Sequence, residues 1–319
     1  MLGKSPSTRL IAWCVVAVLA ISCSSLPAQQ SNSRSGKEDH TLSSVRDSWP
    51  IHVTYYPSRL KENAAVVVLL HMKGGSRLVW TRKGGLAEAL QKEGFAVIAA
   101  DLRKHGQSKL AGGAAAAKKK GRKKGGDSNL TRIDYALMVT SDMEAIKKFV
   151  SAEHTKKRLN MRKLAVVGAG MSSPVAIVFS ANDWAKKPHN DAPTLAAKTP
   201  RGQDVRALVL LSPQGSLPGM TINRPMKYLK GRAAVLVCVG DRKSRVPVLD
   251  ANRVYNFLKP ISKDPETRIN WINTFPVQLQ GTDLLGKRIG VEDVVVAFLK
   301  KYVGNLKDPW KDRRSRVNR

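Results

Sequence analysis

From residue 49 onward, short apolar runs alternate with segments in which apolar residues recur every three or four positions. That alternation predicts an α/β domain, a mostly parallel central sheet covered by helices on both faces. Strands are expected at about 50–56, 65–71, 95–101, 163–168, 205–211, 233–239 and 268–275. The runs at 64–70 (AAVVVLL) and 207–211 (ALVLL) leave no polar face, so they belong to central strands buried on both sides. Helical periods fall between them, at about 82–93, 132–151, 173–184, 248–259 and 290–303. In the last, Val291, Val294, Val295, Phe298, Leu299 and Tyr302 make one apolar stripe, with Glu292, Lys300 and Lys301 on the wet side.

Five segments fall outside this alternation. Lys4 and Arg9 followed by the apolar residues 10–21 and then small residues predict a secretory signal peptide over 1–28. The stretch LAISC, ending at Cys23, is a loose bacterial lipobox and offers lipid anchoring as a second mode of processing. Residues 29–48, rich in Ser, Gln, Lys and Arg, are expected to be a flexible tether. Residues 111–126 form a basic loop insertion, and residues 305–319 a basic tail after the domain at 49–304. The segment 185–204 is polar and contains prolines, so it reads as a surface loop.

The 319 residues carry 55 Lys and Arg against 24 Asp and Glu, a formal charge of +31. Such a surplus bears on partners, not on fold. Within the basic loop Lys118, Lys119, Lys120, Arg122, Lys123 and Lys124 stand without an acid, which makes them candidate anion-binding residues. No aromatic residue interleaves them, which argues against specific nucleic-acid recognition. An anionic polymer or membrane surface is the expected partner of loop and tail, and the expected location is secreted, periplasmic or cell-envelope. Of three cysteines only Cys238 lies in the body, in an apolar run, so neither a disulfide framework nor a zinc site is expected. No cofactor or metal is implied.

Four local patterns resemble those of the α/β-hydrolase superfamily, as a secreted bacterial member without a large cap domain. His71-Met72-Lys73-Gly74-Gly75 resembles the loop after the third strand that supplies half of an oxyanion hole. Asp101-Leu102-Arg103-Lys104-His105-Gly106-Gln107-Ser108 resembles a characteristic turn and is the most specific of the four. The strand 163–168 leading into Gly168-Ala169-Gly170-Met171-Ser172 resembles the nucleophile elbow, and residues 275–285 the loop after the last strand. The resemblance implies an oxyanion-like pocket at His71, Met72 and Met171.

Acyl transfer on this scaffold needs a nucleophile, a histidine and a carboxylate. The matching positions hold Gly170, Gln280 and Lys243, a degenerate triad, with Asp241 two residues early. Glycine has no attacking group, and a glutamine amide does not act as a base. The expectation is therefore a pseudoenzyme that binds an anionic polymer, an envelope surface or a small ligand near Met72, Gly170, Met171 and Gln280. The alternative is an active serine esterase or peptidase that uses Ser172, shifted two residues along the elbow, or a triad not recognised in the sequence. His71 and His105 are expected to brace loops, while His52, His154 and His189 show no metal spacing.

Overall fold

The computed structural model describes residues 36–110, 129–242, 245–258 and 267–318. The expected signal peptide at 1–28, the basic loop residues Lys118 to Lys124 and the triad position Lys243 lie outside the described residues.

Eight strands make one sheet: β1 (Glu38–Ser43), β2 (Pro50–Tyr56), β3 (Val66–Leu70), β4 (Ala96–Ala100), β5 (Leu164–Ala169), β6 (Val205–Leu211), β7 (Ala234–Gly240) and β8 (Asn270–Phe275). Their spatial order is β1-β2-β4-β3-β5-β6-β7-β8. The β1–β2 and β2–β4 pairings are antiparallel and the rest are parallel. Parallel neighbours need crossovers, and the helices supply them: α1 (Leu86–Lys92), α2 (Arg132–Leu137), α3 (Met143–Thr155), α4 (Ser172–Ala185), α5 (Asn223–Leu229) and α6 (Arg245–Leu258), while α7 (Val291–Leu299) follows the last strand and packs into the core. A π-turn at Met138–Asp142 joins α2 to α3, so the expected helix at 132–151 is present but interrupted.

The apolar strands feed two cores at once. Along β3, Val66, Val68 and Leu70 enter one core, and Val67 and Leu69 the other. The same alternation divides Leu208 and Leu210 from Ala207 and Val209 on β6. Central strands without a polar face are the direct result of having helices on both sides.

Two boundaries differ from expectation. The tether assigned to 29–48 is, from Glu38 onward, the edge strand β1, whose residues pair with β2 from Glu38↔Tyr55 to Ser43↔Pro50. Its side chains alternate between half-buried and exposed, so the backbone ladder carries it without an apolar stripe. The tail at 305–319 is basic but docked: Trp310 stacks on His154 at 5.0 Å between ring centroids and donates its indole N–H to the His154 carbonyl at 2.9 Å. Asp308 pairs with Arg162 and Arg206, and Arg313 with Asp204. Among the described residues no helix is long and apolar enough to cross a membrane.

Candidate functional site

The carboxyl ends of β3, β5, β6 and β8 meet at one edge of the sheet, the place where open α/β sheets bind ligands. The elbow after β5 is formed as the sequence predicts. Gly170 has φ +54°, in the left-handed region that glycine occupies without strain. Gly168 lies directly under the turn, where a Cβ would stand 2.8 Å from the Ser172 carbonyl oxygen. Here α4 begins, its amino terminus directed at the edge.

The Asp101 turn is a buried brace. Asp101 accepts from the Arg77 guanidinium at 2.5 Å and from the backbone N–H of Gln107 at 2.9 Å, while the Ser108 hydroxyl donates to the Asp101 carbonyl at 2.8 Å. Arg103 donates to Asp142 and Asp47, and these partners hold its guanidinium charged despite burial. His71 is fully buried; its Nδ1 bonds the Met72 carbonyl at 2.8 Å, and its Nε2 accepts the Leu102 N–H at 3.0 Å. Burial lowers its pKa to about 4, so the ring is neutral and fixes the loop instead of moving protons. His105 packs against it at 5.0 Å between centroids, and burial lowers its pKa as well.

A cavity of about 300 Å³ opens at this edge, lined among others by Met72, Lys73, Gly170, Met171, Asp250 and Gln280. Gly170 and Gln280 thus come together as the sequence predicts. The backbone N–H groups of Met72 and Met171 donate to no acceptor among the described residues. His71, by contrast, lies behind the wall of the cavity. Ser172 is fully buried: its hydroxyl accepts from the Ala169 N–H at 2.7 Å and reaches the carbonyls of Leu70 and Ala169 at 2.9 and 3.0 Å. It ties the elbow to β3 and turns away from the cavity.

The residue missed in the sequence is Ser212, at the end of β6. It lines the cavity with φ +45°, a left-handed conformation that is unfavourable for a non-glycine residue. Its hydroxyl donates to the Gln280 Oε1 at 2.6 Å and accepts the Gly281 N–H at 2.8 Å. The Gln280 amide in turn donates to the Gly240 carbonyl at 2.8 Å. Backbone bonds from Gly170 to Leu211 and from Gln214 to Gly170 hold the Ser212 turn against the elbow. A hydroxyl therefore stands one strand across from the position where the resemblance implies one. Cys238, behind it, is buried, which pushes its thiol up to about 12 and leaves it inert. Among the described residues there is no cluster of His, Cys, Asp and Glu able to hold a metal.

No protein-family model and no curated protein matches the chain. Solved structures do. An esterase from Pyrococcus furiosus is 15% identical, with a TM-score of 0.55 over 84% of this chain and 91% of the esterase. A highly thermostable carboxyl esterase from Bacillus coagulans, in complex with glycerol, is 13% identical with a TM-score of 0.55 over 84% and 99%. A dienelactone hydrolase from Anabaena variabilis is 14% identical with a TM-score of 0.51 over 84% and 99%. The expectation of a non-catalytic binding protein is corrected by these likenesses, since the structures that share the scaffold are esterases and hydrolases. Its physical weakness was to judge chemistry from three loops, when Ser212 brings a hydroxyl to the cavity from a fourth. At these identities the likeness carries the fold: the chain has the α/β-hydrolase fold, with an eight-stranded, mostly parallel sheet and, among the described residues, no large cap.

Proposed function

We propose that the protein is a serine hydrolase acting on ester bonds, with Ser212 as the nucleophile in place of the elbow residue. The Ser212 hydroxyl carries this reading: it lies in the cavity on a left-handed turn, beside Gly170 and oriented by Gln280 and Gly281. In an active α/β hydrolase the elbow supplies the same combination of backbone strain and a presented hydroxyl. The triad positions at Gly170 and Gln280 remain degenerate, so the work passes to other groups.

In this reading the Ser212 hydroxyl turns from Gln280, its Oγ attacks the ester carbonyl carbon, and its proton passes to the Asp250 carboxylate, the one carboxylate lining the cavity among the described residues. The oxyanion is received by the N–H groups of Met72 and Met171, helped by the positive end of α4. The carbon–oxygen bond to the alcohol breaks, and Asp250 returns the proton to the departing alkoxide. Water then repeats the attack on the acyl-serine, releasing acid and free Ser212. Gln280 does not accept the proton; it positions the hydroxyl. A carboxylate is in general a weaker base than imidazole, which implies slow turnover. The Lys73 ammonium at the rim favours acyl groups that end in an anion. The charged leader and apolar residues 10–21 support export of the mature chain.

The test is hydrolysis of a chromogenic short-chain ester by the purified protein. Turnover above background that Ser212→Ala abolishes and Ser172→Ala retains is the expected result. Absence of turnover, or equal turnover in Ser212→Ala, refutes the assignment.

A further inference from the structure

A second cleft lies at the opposite edge of the sheet, where β5 and β6 begin. It has a volume of about 220 Å³ and is bounded by α3, the end of α4, the segment at 186–201 and the docked tail. Five cations line it: Lys147, Lys148, Lys186, Arg201 and Arg313. The three carboxylates that face them are Glu144, which pairs with Lys186 at 2.7 Å, and the buried Asp183 and Asp204.

These groups divide into a floor and a rim. Lys147 is buried and bridges Asp183 and Asp204, the latter at 2.9 Å, and Arg313 pairs with Asp204 at 2.6 Å. The two carboxylates hold Lys147 charged against the penalty of burial. Arg313 still has a buried Nε–H that finds no acceptor among the described residues. At the rim, Lys148 and Arg201 are exposed, and their side chains make no ion pair among the described residues. Five cations against three carboxylates leave a surplus of two in a concave, partly desolvated wall. Such a wall strengthens attraction for an anion relative to a flat basic surface.

We infer that this cleft binds a small molecule bearing a phosphate group, its two negative charges matching the surplus left by Lys148 and Arg201. A guanidinium beside an ammonium suits a tetrahedral oxyanion, which accepts from both at once. The volume leaves room for a small organic moiety on the phosphate. The site is independent of the ester-hydrolysis reading, since it shares no residue with the other cavity.

The test is isothermal titration of the full chain at fixed ionic strength with inorganic phosphate, glycerol phosphate and acetate. Phosphate is expected to bind saturably at one site, and the double variant Lys148→Ala/Arg201→Ala to weaken it at least tenfold. A control of equal charge change on and just after α5, Lys227→Ala/Lys230→Ala, is expected to leave the affinity unchanged. Tighter binding of glycerol phosphate identifies a phosphate ester as the ligand; equal binding identifies the free anion. Lack of saturation, acetate binding as tightly as phosphate, or equal weakening in both double variants overturns the site. Arg201→Glu, a single exposed change, checks the result should the double variant melt early.

Discussion

The buried His71 ties stability to pH in a way that one substitution isolates. In the folded chain its Nδ1 bonds a carbonyl and its Nε2 accepts an N–H, so the neutral ring is fully satisfied and an added proton on Nε2 would face the Leu102 N–H. The folded pKa is about 4, against 6.5 for the free side chain. The unfolded state therefore binds the proton first, and stability is complete above pH 6.5 and falls as the pH drops toward 4. Between pH 7 and 4.5 this one site removes on the order of 2 kcal/mol. His105, lowered in the same direction, adds to the loss. In His71→Gln the side-chain oxygen can still accept from Leu102, but nothing titrates. Urea unfolding of both proteins at several pH values measures the difference: the variant is less stable at pH 7 and should close on the wild type by about 2 kcal/mol at pH 4.5. Parallel stability curves across this range would refute the neutral, fully bonded His71.

Ser172→Ala leaves buried backbone groups of the elbow without a partner, and chemical denaturation should register a loss of about 1–3 kcal/mol. Gly168→Ala drives a methyl to 2.8 Å from the Ser172 carbonyl oxygen, so the purified protein should show a lowered melting temperature and, under the proposed reading, a disordered cavity with reduced ester turnover. Lys147→Met leaves buried Asp183 without a cation and Asp204 with Arg313 alone; a loss of about 3–5 kcal/mol is expected by denaturant titration, and a change below about 1 kcal/mol would count against the buried network. Ending the chain at residue 306 removes the Trp310 and Arg313 contacts, and calorimetry should show a lower melting temperature.

The sheet was readable because its strands are either apolar throughout or bounded by turn residues, and β6 falls at 205–211 as the pattern predicts. β1 was not readable, since EDHTLS has one large apolar residue and takes its conformation from the ladder with β2. The elbow could be recognised from its glycines, as Gly168 and Gly170 answer a close approach and a left-handed φ. Ser212 carries no local motif. Only the order β5-β6 places the end of its strand beside the elbow, and the signal available in the sequence was a serine closing a central strand at the ligand-binding edge. The second cleft was hidden for a similar reason: its cations come from segments far apart in sequence, and the tail that completes it reads as solvated charge.

The two cavities sit at opposite ends of the same two struts, β5 and β6, whose six or seven residues span about 20 Å. That distance is more than twice the screening length of about 8 Å at physiological salt, so a charge seated at one end is scarcely felt at the other. Strands packed on both faces do not hinge. Occupants at the two ends should therefore ignore each other, each with the same dissociation constant whether or not its counterpart is present, giving a coupling free energy near zero.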